Sequence, residues 1–544
     1  MGIITSLLLA ITLQYGPPVN YPMVLAGNFG EPRPNHFHGG IDISTGNREG
    51  KPVFSIANGY VSRVTVGYYG FGNAVYIRHP DGRTSIYCHL KRFSANIERL
   101  VNAWRYRNKT NKTDVHLRPH ECPVVRGQLI AFSGNTGSSQ APHLHLELRD
   151  TRTYAMLDPL DVLKQYFTDT TSPMAHAFMA YPQEGEGVFC GGASRQSFGF
   201  PSHNLSREFT AWGKVGFGIW ANDYMEGTYH SLGIRDTKLT VDGKIVFEAD
   251  VDSIPPAMNR MVNSWGDYPH FQRYKTWYMK TFIERGNTLP VLHAARRGIV
   301  DFNEERTYNM AFVLTDAFGN QQQYTFKVKG ERQKLYGKRH INVMRTLFSG
   351  VPNYFHRPGM LLFAPVGTVV GHVQLNPVIK RKPDNYSDSY TLSTSPYKLF
   401  GNAMLSIKVN KEVNEPEKLY IYCDNGHPAF KGGTYSGGYV TARINELGDT
   451  YQIGYDTDSP VIKALSTSGG KLRLNVKDEG SGVESCEAYI DGRFILLHEH
   501  PGSTVLTCDL SETPLAKTSG TRRLKVVATD KRGNQGTYSA DITY

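Results

Sequence analysis

Five side chains in the first third of the sequence are of types that hold a divalent ion and act on its bound water: His38, Asp42, His89, His143 and His145. The last two lie in the run Pro142-His143-Leu144-His145-Leu146-Glu147-Leu148-Arg149, which alternates without a fault. A strand has a side-chain period of two, so Leu144, Leu146 and Leu148 share one face and His143, His145, Glu147 and Arg149 the other. Two imidazoles on one face can reach one metal ion and its water. By itself the run fits equally a half-buried strand with two solvated histidines. Catalytic zinc takes three protein ligands, from His nitrogen or Asp oxygen among others, and keeps one position open. The ion brings the pKa of its water to about 7 and polarises a carbonyl. A base must then take the water proton, and a donor must stabilise the oxyanion. Singly, none of these residues is specific, since His-x-x-x-Asp and His-x-His both arise by chance. Their joint placement on the polar faces of separate strands is the stronger signal.

The intervening sequence supplies those strands. In His36-Phe37-His38-Gly39-Gly40-Ile41-Asp42-Ile43 the glycine pair opposes a helix, and Ile41 and Ile43 alternate with Asp42. His38 is expected in a loop and Asp42 on the strand that follows. His36 reads as a solvated loop histidine or as a group that touches substrate. Strands are expected within 52–66 and over 74–79. Between them Gly67-Tyr68-Tyr69-Gly70-Phe71-Gly72-Asn73 fits either the wall of a cleft or a plain hairpin connection. Over 84–90, Ile86, Cys88 and Leu90 are expected in the core, with Ser85, Tyr87 and His89 on the polar face. A helix is expected over 92–101, a polar and basic insertion over 104–123, a strand over 125–132 and a short helix over 160–167. Glu147 is placed either to accept a hydrogen bond from a ligand imidazole or to be solvated.

A chain of 544 residues is too long for one core and reads as several domains. Its 40% hydrophobic and 20% charged residues make it globular, and its 54 Gly, 32 Tyr and scarce helical periodicity favour a mainly β protein. A net charge of +11 and a pI near 9.1 suit an anionic partner, a membrane surface or a wall polymer. The absence of a dense basic helix, zinc-finger spacing or RNA-binding aromatic signature argues against nucleic acid. Six cysteines include no CxxC pair; Cys486 and Cys508 fall in one expected domain and could pair. The apolar run 3–13 is too short to span a bilayer and resembles the core of a secretory signal, although no Lys or Arg precedes it. Segment 1–14 is therefore expected to direct export, to periplasm, cell envelope or medium, with no transmembrane span.

Beyond about residue 169 strand-like runs recur between turns. Val241-Asp242-Gly243-Lys244 echoes Ile490-Asp491-Gly492-Arg493, and Leu314-Thr315-Asp316-Ala317-Phe318-Gly319-Asn320 echoes Ala528-Thr529-Asp530-Lys531-Arg532-Gly533-Asn534. Each Asp-x-x-Gly-Asn lies between alternating runs, as a hairpin loop does. The expected organisation is a first unit over 15–170, immunoglobulin-like β-sandwiches over 175–335 and 456–544, and a third β-rich domain over 336–455. Asp456-Thr457-Asp458-Ser459-Pro460 reads as a linker. Its aspartates could bind calcium, but a turn or linker role is expected, because no ligand-rich loop of the needed length is present.

Over roughly 27–150 the sequence resembles the lysostaphin-type (LytM-like) zinc metallopeptidases, which cut peptidoglycan cross-bridges. The likeness is carried by His38-Gly39-Gly40-Ile41-Asp42, by Tyr87-Cys88-His89-Leu90, and by Gly134-Asn135-Thr136-Gly137-Ser138-Ser139 ahead of His143-Leu144-His145-Leu146-Glu147. It implies an antiparallel β-sheet metallopeptidase domain, followed here by β-sandwich modules. It implies Zn2+ held by His38, Asp42 and His145, His143 as general base toward the bound water, and His89 stabilising the tetrahedral intermediate. The implied substrate is peptidoglycan stem or cross-bridge peptide, with the C-terminal β domains contacting the wall or a surface partner. A second reading, a non-catalytic regulator or wall-binding protein of the same fold, is opposed by the complete ligand set. The insertion at 104–123 and the long tail depart from the simplest members and bear on substrate preference.

Overall fold

The computed structural model describes residues 15–543, apart from 68–69, 339, 425, 427, 468, 501 and 514–519. The signal-like segment 1–14 lies outside them. Strands dominate, and pairing among the described residues is antiparallel except where Asn204–Asn222 runs parallel to Gln321–Gly330. No helix among the described residues is long and apolar enough to cross a membrane.

The first unit is built on a sheet ordered Leu25–Gly27, Ile41–Ser44, His143–Asp150, Arg83–Cys88, Ala74–Arg78, Gly59–Val66 and Thr113–His116. The histidine strand is thus paired on both sides. Leu144, Leu146 and Leu148 enter one core with Ile41, Ile43, Val75 and Ile77, as the alternation predicts. The opposite face is left for His143, His145, Glu147 and Arg149.

Two expectations are corrected here. Cys88 lies directly across from His145, Ile86 from Glu147 and Tyr87 from Leu146. Opposed residues of an antiparallel pair share a face. Ile86 and Cys88 therefore lie on the histidine side, in a small cluster with Ala74 and Tyr76, while Tyr87 enters the main core. Both faces of this interior strand are covered, so hydrophobicity alone does not tell them apart. Tyr87 tolerates burial because its hydroxyl accepts from Ile56 N at 2.8 Å and Ser85 Oγ at 3.1 Å. The stretch 104–123 is likewise no simple loop: the helix runs Ala95–Asn108, and Thr113–His116 and Pro123–Val124 both pair with Gly59–Val66. Arg105 hides that helix from a pattern search. It is buried and donates to Asn111 O at 2.8 Å, a polar residue on an inward face.

The tail is attached by packing as well as by chain. Met156–Leu157 pairs with both His143–Asp150 and Ser253–Ile254. Phe29, Phe37 and Met156 share a core with Phe178, Phe209, Phe217, Phe312 and Phe326 of the next unit. That unit, over 174–330, is one hydrogen-bonded network rather than two separate sheets. Its strands Met174–Phe189 and Asn204–Asn222 are 16 and 19 residues long and shift register between Pro182 and Gly187. A Cβ on Gly187 would lie 1.9 Å from Lys214 O, so only glycine lets the strands cross there. Next come two five-stranded sheets enclosing one core, then two four-stranded sheets enclosing another. Cys486 and Cys508 both enter this last core, as free thiols. Asn111, from the 104–123 stretch, fastens the last unit to the first: its Nδ2 donates to Cys486 O at 2.7 Å, and Leu497 N donates to its Oδ1 at 2.8 Å.

Candidate metal centre

Register brings the first two groups together. Asp42 on Ile41–Ser44 is directly opposite His145 on His143–Asp150, so both project from one face. His38 arrives from the loop before Asp42. Its amide donates to Glu31 O and its carbonyl accepts from Gly30 N, both at 2.9 Å. The glycines after it allow the approach: a Cβ on Gly40 would lie 2.2 Å from Leu146 O, and one on Gly39 would lie 2.6 Å from Glu147 Oε1. His38 Nε2, Asp42 Oδ1 and His145 Nδ1 then stand 2.8–3.0 Å from one another.

The remaining atoms of each group are occupied elsewhere. His38 Nδ1 donates to Asn28 O at 2.7 Å, and His145 Nε2 donates to Glu147 Oε1 at 3.3 Å. Those partners place a proton on the outer nitrogen of each ring and leave a lone pair on the inner one. Asp42 Oδ2 accepts from Arg33 Nη2 at 2.7 Å, so Oδ1 is the oxygen that faces the imidazoles. Glu147 Oε2 accepts from Arg149 Nε at 2.6 Å. Two imidazole lone pairs and one carboxylate oxygen converging on a buried point is a donor set that fits zinc, and such a set repels itself unless a cation lies within it.

The field favours positive charge at His145 but not at His38. Burial opposes charge on His145, yet the hydrogen bonds to Asp42 and Glu147 outweigh it and raise its pKa to about 9. Burial, with Arg33 nearby, lowers His38 to about 4. Burial would raise Asp42, but His38, His143 and His145 hold it well below the usual carboxylate range.

His143 and His89 flank the cluster. His143 Nδ1 donates to Ala141 O at 2.8 Å, and its Nε2 lies 3.3 Å from Asp42 Oδ1. His89 reaches the site by leaving its strand in the left-handed region, with φ 58°. Had the strand continued, the face reversal described above would have turned His89 into the core. The loops on either side hold it: His89 N donates to Phe71 O at 2.9 Å and His89 Nδ1 to Thr136 O at 2.8 Å. Phe71 stacks on His145 with centroids 5.9 Å apart. The Gly-aromatic hairpin is thus a cleft wall as well as a connection, with Tyr68 and Tyr69 outside the described residues. The rings of His89 and His143 are 4.9 Å apart, and burial with the nearby His145 and His143 lowers the His89 pKa to about 3.

All five residues singled out in the sequence therefore meet at one place, whereas His36 is exposed outside it. Of the two roles open to Glu147, the structure shows the hydrogen-bonded one. Arg33 and the backbone carbonyls of Asn28 and Thr136 carry no signal in the sequence as site groups, whereas Phe71 lies in the Gly-aromatic loop that fits a cleft wall and Arg149 lies on the histidine face. Behind Thr136 and Gly137 a cavity of about 750 Å³ runs along the helix to Glu499 and Glu512 of the last unit.

Residues 36–105 match Peptidase family M23, and residues 345–456 match the Zu5-like domain. The DD-carboxypeptidase/endopeptidase Mpg of Neisseria meningitidis is 34% identical over 113 residues, 21% of this chain and 20% of that protein. Lipoprotein NlpD of Yersinia enterocolitica is 31% identical over 100 residues, 18% of this chain and 78% of that protein. The chain belongs to peptidase family M23. It spans about a fifth of the length of the curated relatives it matches first. The solved catalytic domain of the antimicrobial peptidase lysostaphin from Staphylococcus simulans is 25% identical, with 26% of this chain and 92% of that one covered at a TM-score of 0.20.

Proposed function

We propose that this M23 protein is an exported zinc endopeptidase that hydrolyses peptide bonds of peptidoglycan. The observation that carries the reading is the convergence of His38 Nε2, Asp42 Oδ1 and His145 Nδ1 within 2.8–3.0 Å, beside a histidine not needed as a ligand. Those three residues would hold the zinc. When bound, the ion acidifies a water and polarises the scissile carbonyl. His143 takes the water proton at Nε2, the nitrogen its Ala141 contact leaves open. His89, held through Nδ1 with its ring 4.9 Å from that of His143, lines the same space; His143, once it carries the proton at Nε2, is the donor to the developing oxyanion. Glu147 and Arg33 aim the ligands rather than touch substrate.

A cationic chain suits an acidic wall polymer. The charged lining of the cavity beyond Thr136 suits a peptide with free amino and carboxylate groups. We read the 461–543 unit, with its two four-stranded sheets, as an immunoglobulin-like module that, with the 174–330 unit, presents the enzyme to the wall or to a surface partner. Incubating the purified protein with isolated peptidoglycan and reading product masses tests the assignment. New peptide termini that vanish with His143→Ala support it. Intact material together with one bound zinc per chain would favour a non-catalytic wall-binding protein instead.

A further inference from the structure

Away from the histidines, two triads of aspartates remain unused: Asp169, Asp223 and Asp316, and Asp456, Asp478 and Asp530. Within each, one ligand atom from every residue lies within 4.8 Å of the others. They are one device built twice. The first aspartate of each lies just ahead of a β unit, Asp169 before Met174–Phe189 and Asp456 before Val461–Ser466. The second directly follows a strand, Asn204–Asn222 or Lys471–Lys477. The third opens the Asp-x-x-Gly-Asn hairpin turn that echoes along the sequence. Its asparagine ties turn to linker in both copies. Asn320 Nδ2 donates to Asp316 Oδ2 at 2.7 Å and Asp169 O at 3.2 Å. Asn534 Nδ2 donates to Asp530 Oδ2 at 2.7 Å and Asp456 O at 3.0 Å.

Acidic clusters are common on protein surfaces, but in each of these two of the three aspartates are buried and the third, Asp169 or Asp478, is half-buried. Asp223 is 2% exposed, and its Oδ1 has no hydrogen-bond partner, nor has Asp169 Oδ2. In the second copy Asp456 and Asp530 are 3% and 2% exposed. Ser481, whose amide donates to Asp456 Oδ2 at 2.7 Å, is 2% exposed and its Oγ has no partner. No Lys, Arg or His forms an ion pair with any of the six aspartates among the described residues. In the second copy Arg532 acts through space on Asp456 and Asp530 without pairing with them; burying carboxylates together with so little counter-charge is costly, and an unpaired oxygen among them calls for a cation. Oxygen-only donors select a hard ion. Calcium accepts six to eight oxygens in flexible geometry, whereas magnesium demands a near-ideal octahedron and keeps its waters.

We propose that Asp169, Asp223 and Asp316 bind one calcium ion and that Asp456, Asp478 and Asp530 bind a second, each ion locking a β unit to the segment before it. Backbone carbonyls and water complete each shell. The ions set the angle between units and take no part in hydrolysis, so the inference stands apart from the zinc assignment.

The test uses the full chain, stripped on a chelating resin, reloaded with zinc and titrated with calcium by calorimetry and thermal unfolding. The parent should bind two calcium ions, with Kd on the order of 10⁻⁴–10⁻³ M as in extracellular modules, and its Tm should rise. Asp223→Asn should remove one binding event and Asp478→Asn the other, each with zinc content unchanged. In calcium-free buffer both variants should be at least as stable as the parent, since a repelling charge has gone; that outcome separates a lost site from a lost fold. No saturable calcium binding by the parent, or undiminished binding in the double variant, would overturn the proposal. So would an equal rise in Tm with magnesium alone, or variants less stable than the parent without calcium.

Discussion

The histidine site and the aspartate triads both gather three ligands to a point, and they do so by different means. The first is built on strands. Asp42 and His145 are cross-strand neighbours in a sheet covered on both faces, and each ligand's far side is fastened by Asn28, Arg33 or Glu147. The second kind is built where chain segments meet: a linker, a strand end and a hairpin turn. One has nitrogen donors and a bracket of hydrogen bonds suited to holding a reactive ion in one geometry. The other has only oxygens and sits at joints, where an ion serves as a clasp. Donor chemistry and rigidity of support together separate a site for catalysis from a site for architecture.

That contrast can be broken in several places. The largest effect is expected from His145→Ala, which removes one of the three converging donors and the one directly across from Asp42. Bound zinc, measured by elemental analysis, should fall to background, and hydrolysis of wall peptides should go with it. His143→Ala should keep full zinc content and lose about 10²–10⁴-fold in turnover, the usual contribution of a general base; equal loss of metal would place His143 among the ligands. Glu147→Gln weakens the support behind His145, and zinc affinity by competition with a chelator should drop about 10–100-fold. Asp223→Asn should leave hydrolysis of a soluble peptide unchanged; a loss there would erase the distinction between the two kinds of site.

The smallest effect is expected at the junction of the first and last units. Burial raises the Glu499 carboxyl to about 7. Its Oε2 has no hydrogen-bond partner, and Lys112 Nζ is 3.7 Å away. A carboxyl whose folded pKa lies above its unfolded one lends its full stability below the unfolded value, near 4.5, and loses it as pH rises through about 7. Glu499→Gln should therefore raise Tm more at pH 8 than at pH 5, read by thermal unfolding at both.

Much of the histidine site was legible because a strand has a fixed period. His143, His145, Glu147 and Arg149 had to share a face once the segment was extended. His89 was legible as a residue but not by its geometry. The alternation pointed it one way, the face assignment was reversed, and the positive φ at residue 89 turned it back to the site. The helix end at 102–108 was hidden by a buried arginine. The hairpin halves of the two triads stand out as a repeat, and the sequence around Asp456 reads as a linker rather than a calcium loop. A search for one ligand-rich loop misses a site whose three oxygens come from separate segments.

From the order of residues alone followed the mainly β character and the alternating strand, because these rest on local periodicity; the choice of His38, Asp42 and His145 as ligands came from the family resemblance. Which strand lies beside which, which oxygen of Asp42 faces the imidazoles, and which distant aspartates meet were decided only on folding. Those depend on register and on packing between segments far apart in the chain, such as Asp169 and Asn320 or Asn111 and Leu497, and no local pattern encodes such distances.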